Sequence, residues 1–284
     1  MGVNIFEIEH LTCQYTTDTP VLSIPKLDIK RGELIFVVGI SGIGKSTFIE
    51  TLGLMNNTIA AHEKTSVRFV DDEGATKELT KIWSGPPAIA SDFRKKHFSF
   101  IFQQTNLMPN FTAGENVAIG MLIQNRSMAE VKPKILALMA HFNLPADLFD
   151  RKVYELSGGQ KQRLAFLRAV TSDFEVLFGD EPTGNLDPET AKMLMQFLTG
   201  LLKKEQKTAL IVSHDLPLSV AFADRILVIT PQASQVNASG RIYGLLDAEN
   251  QLIRNGAQQW QTNSKQQVDD PLNWLRQKID YSIK

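Results

Sequence analysis

The chain has 284 residues, 43% hydrophobic and 21% charged, the composition of an ordinary soluble globular protein with room for one large domain or two modest ones. Its 30 Lys+Arg against 31 Asp+Glu leave a net charge of -1, too weak a field to gather nucleic acid or an anionic membrane surface, which excludes a general nucleic-acid binder. One cysteine, Cys13, allows neither an internal disulfide nor a thiolate zinc cluster. With no leader-like amino terminus and no run of about 18 apolar residues, the expectation is a cytosolic chain that neither exports itself nor spans a membrane.

Residues 4–9 and 21–29 read as short strands of a length that favours sheet edges. Residues 33–40, ELIFVVGI, are apolar, β-branched and too few for a core helix, so they predict a central strand buried on both faces. The next segment, 39–47, breaks that run with three glycines and leads into FIETLGLM, where Phe48, Leu52 and Met55 recur at helical spacing. Residues 56–97 are more polar, carry a turn signal at Asp71 to Gly74, and predict a β-rich excursion. A strand is expected at 98–102, followed by a helical insert over 113–149 with Ile135, Leu138, Met139 and Phe142 on one face.

Helix returns at 158–172, strand at 175–178, and helix at 188–204 with Pro188 suited to its first turn. Further strands at 208–213 and 225–230 complete an alternation that predicts a parallel α/β sheet. After Pro231 the composition shifts toward Gln, Asn and Ser. The stretch 271–284 places Leu272, Leu275, Ile279 and Ile283 on one helical face, an appended extension that can pack on its own domain, on a dimer mate or on a partner.

The segment GISGIGKS at 39–46 has the spacing of a phosphate loop and sits between a strand and a helix as that motif requires. Phosphate oxygens need many donors at close range. A loop of Gly39, Ser41, Gly42 and Gly44 lets backbone N–H groups approach, and the helix amino terminus adds partial positive charge. Lys45 is placed to bridge the β- and γ-phosphates, Ser46 to ligate Mg²⁺ and Thr47 to bond the α-phosphate. A second buried strand ends in two carboxylates, VLFGDE at 176–181, a costly arrangement without a cation. Asp180 is expected to support the Mg²⁺ shell and Glu181 to polarise a water for in-line attack on the γ-phosphate.

The segment LSGGQ at 156–160, followed by Lys161, Gln162 and Arg163, resembles the signature of the ATP-binding cassette (ABC) ATPases. The family pattern continues in order with Gln103 in FIFQ, EPTGNLD at 181–187 and His214 in IVSHD, so the resemblance spans residues 15–215. It implies a P-loop NTPase cassette: a RecA-like parallel-sheet core, an antiparallel β subdomain and a helical subdomain inserted at about 104–170. The cassette would occupy 1–240 and the extension 241–284. It further implies that Gln103 reaches toward Mg²⁺ and the attacking water and that His214 contacts the γ-phosphate. Tyr15 would stack on adenine, although a lone aromatic before a strand is as often packing. Ser157, Gly158, Gly159 and Gln160 would bind the γ-phosphate held by an opposite subunit. Asp187 would lie in the segment crossing that interface, or be an ordinary helix cap before Pro188.

One phosphate loop and one signature per chain imply pairing with a second cassette, as a homodimer or with another chain. EPTGNLD and the run 100–117 resemble the branch of lipoprotein-releasing, macrolide-exporting and cell-division ATPases, which work with membrane subunits on separate chains. Three features depart from that branch: Gly179 where Ala is common, the apolar Ile40 and Ile43 in the phosphate loop, and a long 56–97 segment. The expectation is an ATP hydrolase on the cytoplasmic face of the inner membrane. An integral permease would dock near 103–116, with no direct membrane insertion and no nucleic-acid partner. The alternatives are a soluble cassette ATPase acting on ribosomes or DNA, against which the near-zero charge speaks, and a silent regulatory module, against which Glu181 and His214 speak.

Overall fold

The computed structural model describes residues 2–17, 19–60, 62–236, 242–256 and 259–280, with the side chains of 232–236, 242 and 280 left aside. The first strands, β1 (Asn4–Gln14) and β2 (Pro20–Lys30), form an antiparallel pair. Neither is an edge, as their length suggested: β4 (Ser66–Val70) covers β1, and β11 (Ile242–Leu245) covers β2. With β5 (Thr76–Glu78) and β10 (Thr230–Val236) they make a six-stranded sheet in the order β10-β11-β2-β1-β4-β5.

The second sheet is built on β3 (Leu34–Val38), every residue of which is buried. Parallel to it lie β9 (Arg225–Val228) on one side and β8 (Thr208–Val212) on the other, then β7 (Val176–Asp180) and β6 (Phe98–Ile101). A strand enclosed on both faces has no polar side to alternate with, which is why LIFVV reads as a continuous apolar run. Helix α1 (Lys45–Leu52) follows β3 and ends at Gly53, so Met55 lies beyond it and is exposed. The 56–97 segment is also less β-rich than its turn signal suggested. Besides β4 and β5 it holds α2 (Leu79–Trp83) and α3 (Pro87–His97), the latter started by a proline at its first turn.

The two sheets meet over a cluster of phenylalanines. Phe178 on β7 is fully buried, with ring centroids 5.3 Å from Phe98 and Phe100 and 6.3 Å from Phe6. Burying each such ring is worth roughly 1.5–3 kcal/mol. The cluster therefore fixes β7, whose last residue is Asp180.

The helical insert is divided. Helices α4 (Ala113–Ile123) and α5 (Met128–His141) each begin with a capping box, Thr112 with Glu115 and Ser127 with Glu130, and short 3-10 turns follow before α6 (Gly158–Thr171). Ile135, Met139 and Phe142 are buried and Leu138 is half-buried, as the helical spacing predicted. Helix α7 (Pro188–Glu205) then leads to β8, and α8 (Leu216–Phe222) joins β8 to β9.

The expected extension is not an appendage. After β11, strand β12 (Gln251–Asn255) pairs antiparallel with β9, and β13 (Gln259–Thr262) and β14 (Gln267–Val268) carry the central sheet outward. Helix α9 (Pro271–Asp280) packs on α8 with Leu275 fully buried and Leu272 and Ile279 half-buried. Ile283, the last member of the predicted stripe, and the predicted boundary at 240 lie outside the described residues.

Candidate active site

The strands β9, β3, β8, β7 and β6 are parallel, so their carboxyl ends share one edge, the place where open α/β sheets bind ligands. Four segments singled out in the sequence leave the sheet there. Val38 leads into the phosphate loop, Ile101 toward Gln103, Asp180 ends β7, and Val212 leads to His214.

The phosphate loop is held in place by its own chain. Gly39 has φ +154°, and a Cβ there would sit 2.6 Å from the Ile229 carbonyl oxygen, so no larger residue fits between loop and β9. Ile43 is 4% exposed and packs into the core, which accounts for the apolar character of the loop. Ser41 and Gly42 are exposed, Gly44 is the N-cap of α1, and no side chain caps that helix. The first N–H groups of α1 are thereby left as donors beside the dipole's positive end.

Lys45 is 6% exposed, and its Nζ donates to the carbonyls of Gly39 at 3.0 Å and Ile40 at 2.8 Å. Burial pushes the ammonium below its usual range, a shift partly opposed by the carboxylates of Glu181 and Asp180. Ser46 is half-buried. Thr47 is buried, and its Oγ1 lies 2.9 Å from the hydroxyl of Tyr15, a residue 56% exposed. Tyr15 is therefore tied by its hydroxyl to the first turn of α1 while the residue stays largely exposed.

Glu181 carries φ +48°, a left-handed conformation costing roughly 1–2 kcal/mol for a residue with a side chain. Its N–H donates to the Val212 carbonyl at 3.0 Å, and its Oε1 lies 3.0 Å from Nε2 of His214. Asp180 and Glu181 are both half-buried and His214 is 50% exposed. A strained conformation of this kind persists only where its surroundings over-determine it, here with a backbone hydrogen bond to β8 and the contact with His214. Gln103 stands exposed just past β6. A Cβ at Gly179 would lie 2.7 Å from Ile211 Cδ1, the end of a side chain that can shift to admit it.

The signature residues sit apart from this group. Ser157 is the N-cap of α6, accepting from Gln160 N at 3.3 Å while Gln160 Oε1 accepts from Ser157 N at 2.8 Å. Gly158 and Gly159 have open space where a side chain would project. Helix α6 packs on α4, α5 and β6, whereas α1 packs on β1, β2, β7 and β8. Asp187 caps α7 through Thr190 N at 2.9 Å, the helix-cap alternative for that residue. One link was given no role in the sequence: Gln162, 2% exposed, donates from Nε2 to the Pro182 carbonyl at 2.9 Å, tethering the signature helix to the turn after Glu181. The only signal was a polar residue on the buried side of a helix. Past Gln103, Met108 and Phe111 are each 40% exposed, within the segment expected to carry the coupling surface.

These residues suit a nucleoside triphosphate with a hard cation. A glycine cradle, uncapped helix N–H groups and a buried ammonium match phosphate chemistry. Among the described residues no group of three or more His, Cys, Asp or Glu is arranged for a metal. Mg²⁺ keeps waters and substrate phosphates and takes only one or two protein ligands, and the hydroxyl of Ser46 and the carboxylate of Asp180 are oxygen donors of the kind it takes.

The model of the family described as ABC transporter matches residues 22–184. The lipoprotein-releasing system ATP-binding protein LolD of Myxococcus xanthus (strain DK1622) is 36% identical over 209 residues, covering 74% of this chain and 88% of that protein. The uncharacterized ABC transporter ATP-binding protein YbbA of Escherichia coli (strain K12) is 35% identical over 233 residues, covering 79% and 93%. Among solved structures, the bacterial ABC transporter cassette MJ0796, as a post-hydrolysis dimer bound to ADP and Pi, superposes with a TM-score of 0.66. It is 27% identical and covers 78% of this chain and 93% of that one.

Proposed function

The chain belongs to the ABC transporter family, as an ATPase that converts ATP and water to ADP and phosphate within a transporter complex, and on that premise we propose how its residues share the work. The loop of Gly39, Ser41, Gly42 and Gly44 cradles the phosphates, Lys45 bridges the β- and γ-phosphates, and Thr47 bonds the α-phosphate. Tyr15 presents its ring to the base while its hydroxyl anchors it to Thr47. Ser46 and Asp180 would hold Mg²⁺, with Gln103 as a further contact to its shell, and the ion would supply charge neutralisation at the phosphates. Glu181 takes the proton of the attacking water, and His214 holds Glu181 and contacts the γ-phosphate.

The observation that carries this reading is the pairing of Glu181 with His214 at 3.0 Å from two neighbouring strand ends, with Glu181 held in its strained conformation. Glu181→Gln is expected to keep ATP binding and to lose roughly 10² to 10⁴ in turnover, the usual scale of a general base. Steady-state hydrolysis equal to wild type would remove Glu181 from the mechanism.

The signature at Ser157, Gly158, Gly159 and Gln160, exposed or half-exposed, completes the site of a second cassette, so two chains enclose two ATP molecules head to tail. ATP closes this dimer and hydrolysis reopens it. No helix among the described residues is long and apolar enough to cross a membrane. The permease is then a separate chain, docked over Met108 and Phe111 on the cytoplasmic face of the inner membrane. Relatives named as lipoprotein-releasing ATPases favour the release and export branch over action on ribosomes or DNA. Affinity purification from detergent-solubilised membranes should recover an integral subunit at comparable stoichiometry; recovery with ribosomes alone would overturn this assignment. Residues 241–284 act as a brace of the cassette, through the strands they add to both sheets.

A further inference from the structure

Helix α8 has seven residues, too few to be stable alone, and no basic residue in its last turn. Its amino end is capped by Asp215, which accepts from Leu218 N at 2.8 Å and directly follows His214. Its carboxyl end is served from outside. Arg254 on β12 donates from Nε to the Ala223 carbonyl at 2.7 Å and from Nη2 to the carbonyls of Val220 at 2.5 Å and Ala221 at 3.1 Å. The backbone N–H of Arg254 bonds Asp224 O at 2.8 Å, and its guanidinium lies 4.7 Å from the ring centre of Trp260, its cross-strand neighbour on β13. A cation on the last carbonyls of a helix satisfies orphan acceptors and opposes the negative end of the dipole.

We propose that Arg254 is a positioning residue for His214: it seats α8 from the carboxyl end, and the other end of α8 sets where the imidazole meets Glu181. This rests on the ATPase reading above. The His214 ring is half exposed and its ion-pair partner is Glu181, so the path of the backbone into α8 governs its position more than packing of the ring does. The same helix is held by α9, whose Leu275 shares a buried core with Ala223. The residues after β11 thereby reach the catalytic edge of the sheet without contributing a side chain to it.

The test measures kcat and KM for ATP hydrolysis in wild type, Arg254→Ala, Arg254→Lys, Lys278→Ala and Glu181→Gln, with amide hydrogen exchange over 213–223 and melting temperature for each. Misplacing a catalytic group from a distance can cost up to about 10²-fold, and loss of one end of α8 is expected to lower kcat about 5- to 30-fold with KM within about 2-fold. Exchange over 213–223 should rise. Lys at 254 keeps the charge but not the fork, so its kcat should fall between those of wild type and Arg254→Ala. Lys278 bonds Asn250 from α9 and does not touch α8 through its ammonium, so its replacement should leave kcat unchanged.

Wild-type kcat in Arg254→Ala overturns the proposal. So does a joint loss of kcat, KM and melting temperature without recovery by Lys, which marks a purely structural role. Should Arg254→Ala fail to fold, Arg254→Lys decides: a kcat equal to wild type overturns the proposal, and at least a 2-fold fall at native melting temperature supports it. Failure of the ATPase reading is separate, since wild type would then hydrolyse no more than Glu181→Gln. In that case unchanged exchange over 213–223 in Arg254→Ala still overturns the role of Arg254.

Discussion

The phosphate loop and the signature segment are both glycine-rich turns that open a helix, yet the chain treats them in opposite ways. Around the phosphate loop, Gly39 is pressed against the Ile229 carbonyl, Ile43 and Lys45 are buried, and the amino end of α1 has no side-chain cap. At the signature, Ser157 and Gln160 cap each other, and Gly158 and Gly159 face open space. The first segment is organised by its own chain around donors it does not satisfy. The second satisfies its own cap and leaves open space beside its two glycines. Preorganised donors cost no reorganisation when the anion arrives, which is the basis of the division of labour proposed above: the first segment would bind ATP alone, and the second would act only in the dimer.

The sharpest way to break this contrast is Gly159→Asp. The space around Gly159 accepts a side chain without a clash, so the fold should survive. The added carboxylate would face the γ-phosphate of the opposite subunit, and hydrolysis should fall by about 10²-fold, the scale of one lost transition-state contact. ATP affinity of the isolated chain, measured by nucleotide titration, should stay within about 2-fold of wild type. A comparable loss of monomer affinity would mean that the signature serves its own nucleotide, and the division would fail.

A smaller effect is expected on the other side of the contrast. Gly244 on β11 lies so close behind the phosphate loop that a Cβ would stand 2.4 Å from the Ile43 carbonyl oxygen and 2.6 Å from Ile229 Cγ2. In Gly244→Ala either β11 or the loop must move, at a cost of roughly 1–3 kcal/mol. KM for ATP should rise about 3- to 10-fold with little change in kcat, because the cradle binds ground and transition states alike. Unchanged KM with a lowered melting temperature would show that β11 yields and the loop does not depend on it.

Gly244 also marks where the sequence stopped being legible. The phosphate loop, β3, β7 and the signature helix could be read because each is a local pattern: an apolar run, a glycine spacing or a cap followed by helical periodicity. Strands β11 to β14 are two to five residues long, too short for a local period to announce them, and the pairings that tie them into the two sheets, β11 with β2 and β12 with β9, are tertiary. The carboxyl-terminal residues accordingly read as an appended helix, although they extend both sheets. Met55 fitted a helical spacing that Gly53 had already ended, and the basic, proline-started α3 was hidden in a segment read as β-rich. The positive φ of Glu181 and the seat of α8 on Arg254 are consequences of tertiary hydrogen bonds and had no signal at all.

The smallest expected effect separates two roles of one hydroxyl. Ser157 Oγ accepts from Gln160 N at 3.3 Å, which uses a lone pair and leaves the hydroxyl hydrogen free to donate to a phosphate oxygen. The cap and the proposed ligand contact therefore do not compete. Ser157→Ala removes both, and loss of an N-cap costs about 1 kcal/mol, a fall of about 2–4 °C in melting temperature for a chain of this size. Ser157→Asp restores an equally good cap but replaces the donor with a charge that repels phosphate. If the signature acts only across the dimer, Ala should lower both melting temperature and turnover, whereas Asp should recover the melting temperature and lose more turnover than Ala. Equal turnover in the two variants would mean that the hydroxyl serves the helix alone and the glycines beside it carry the contact.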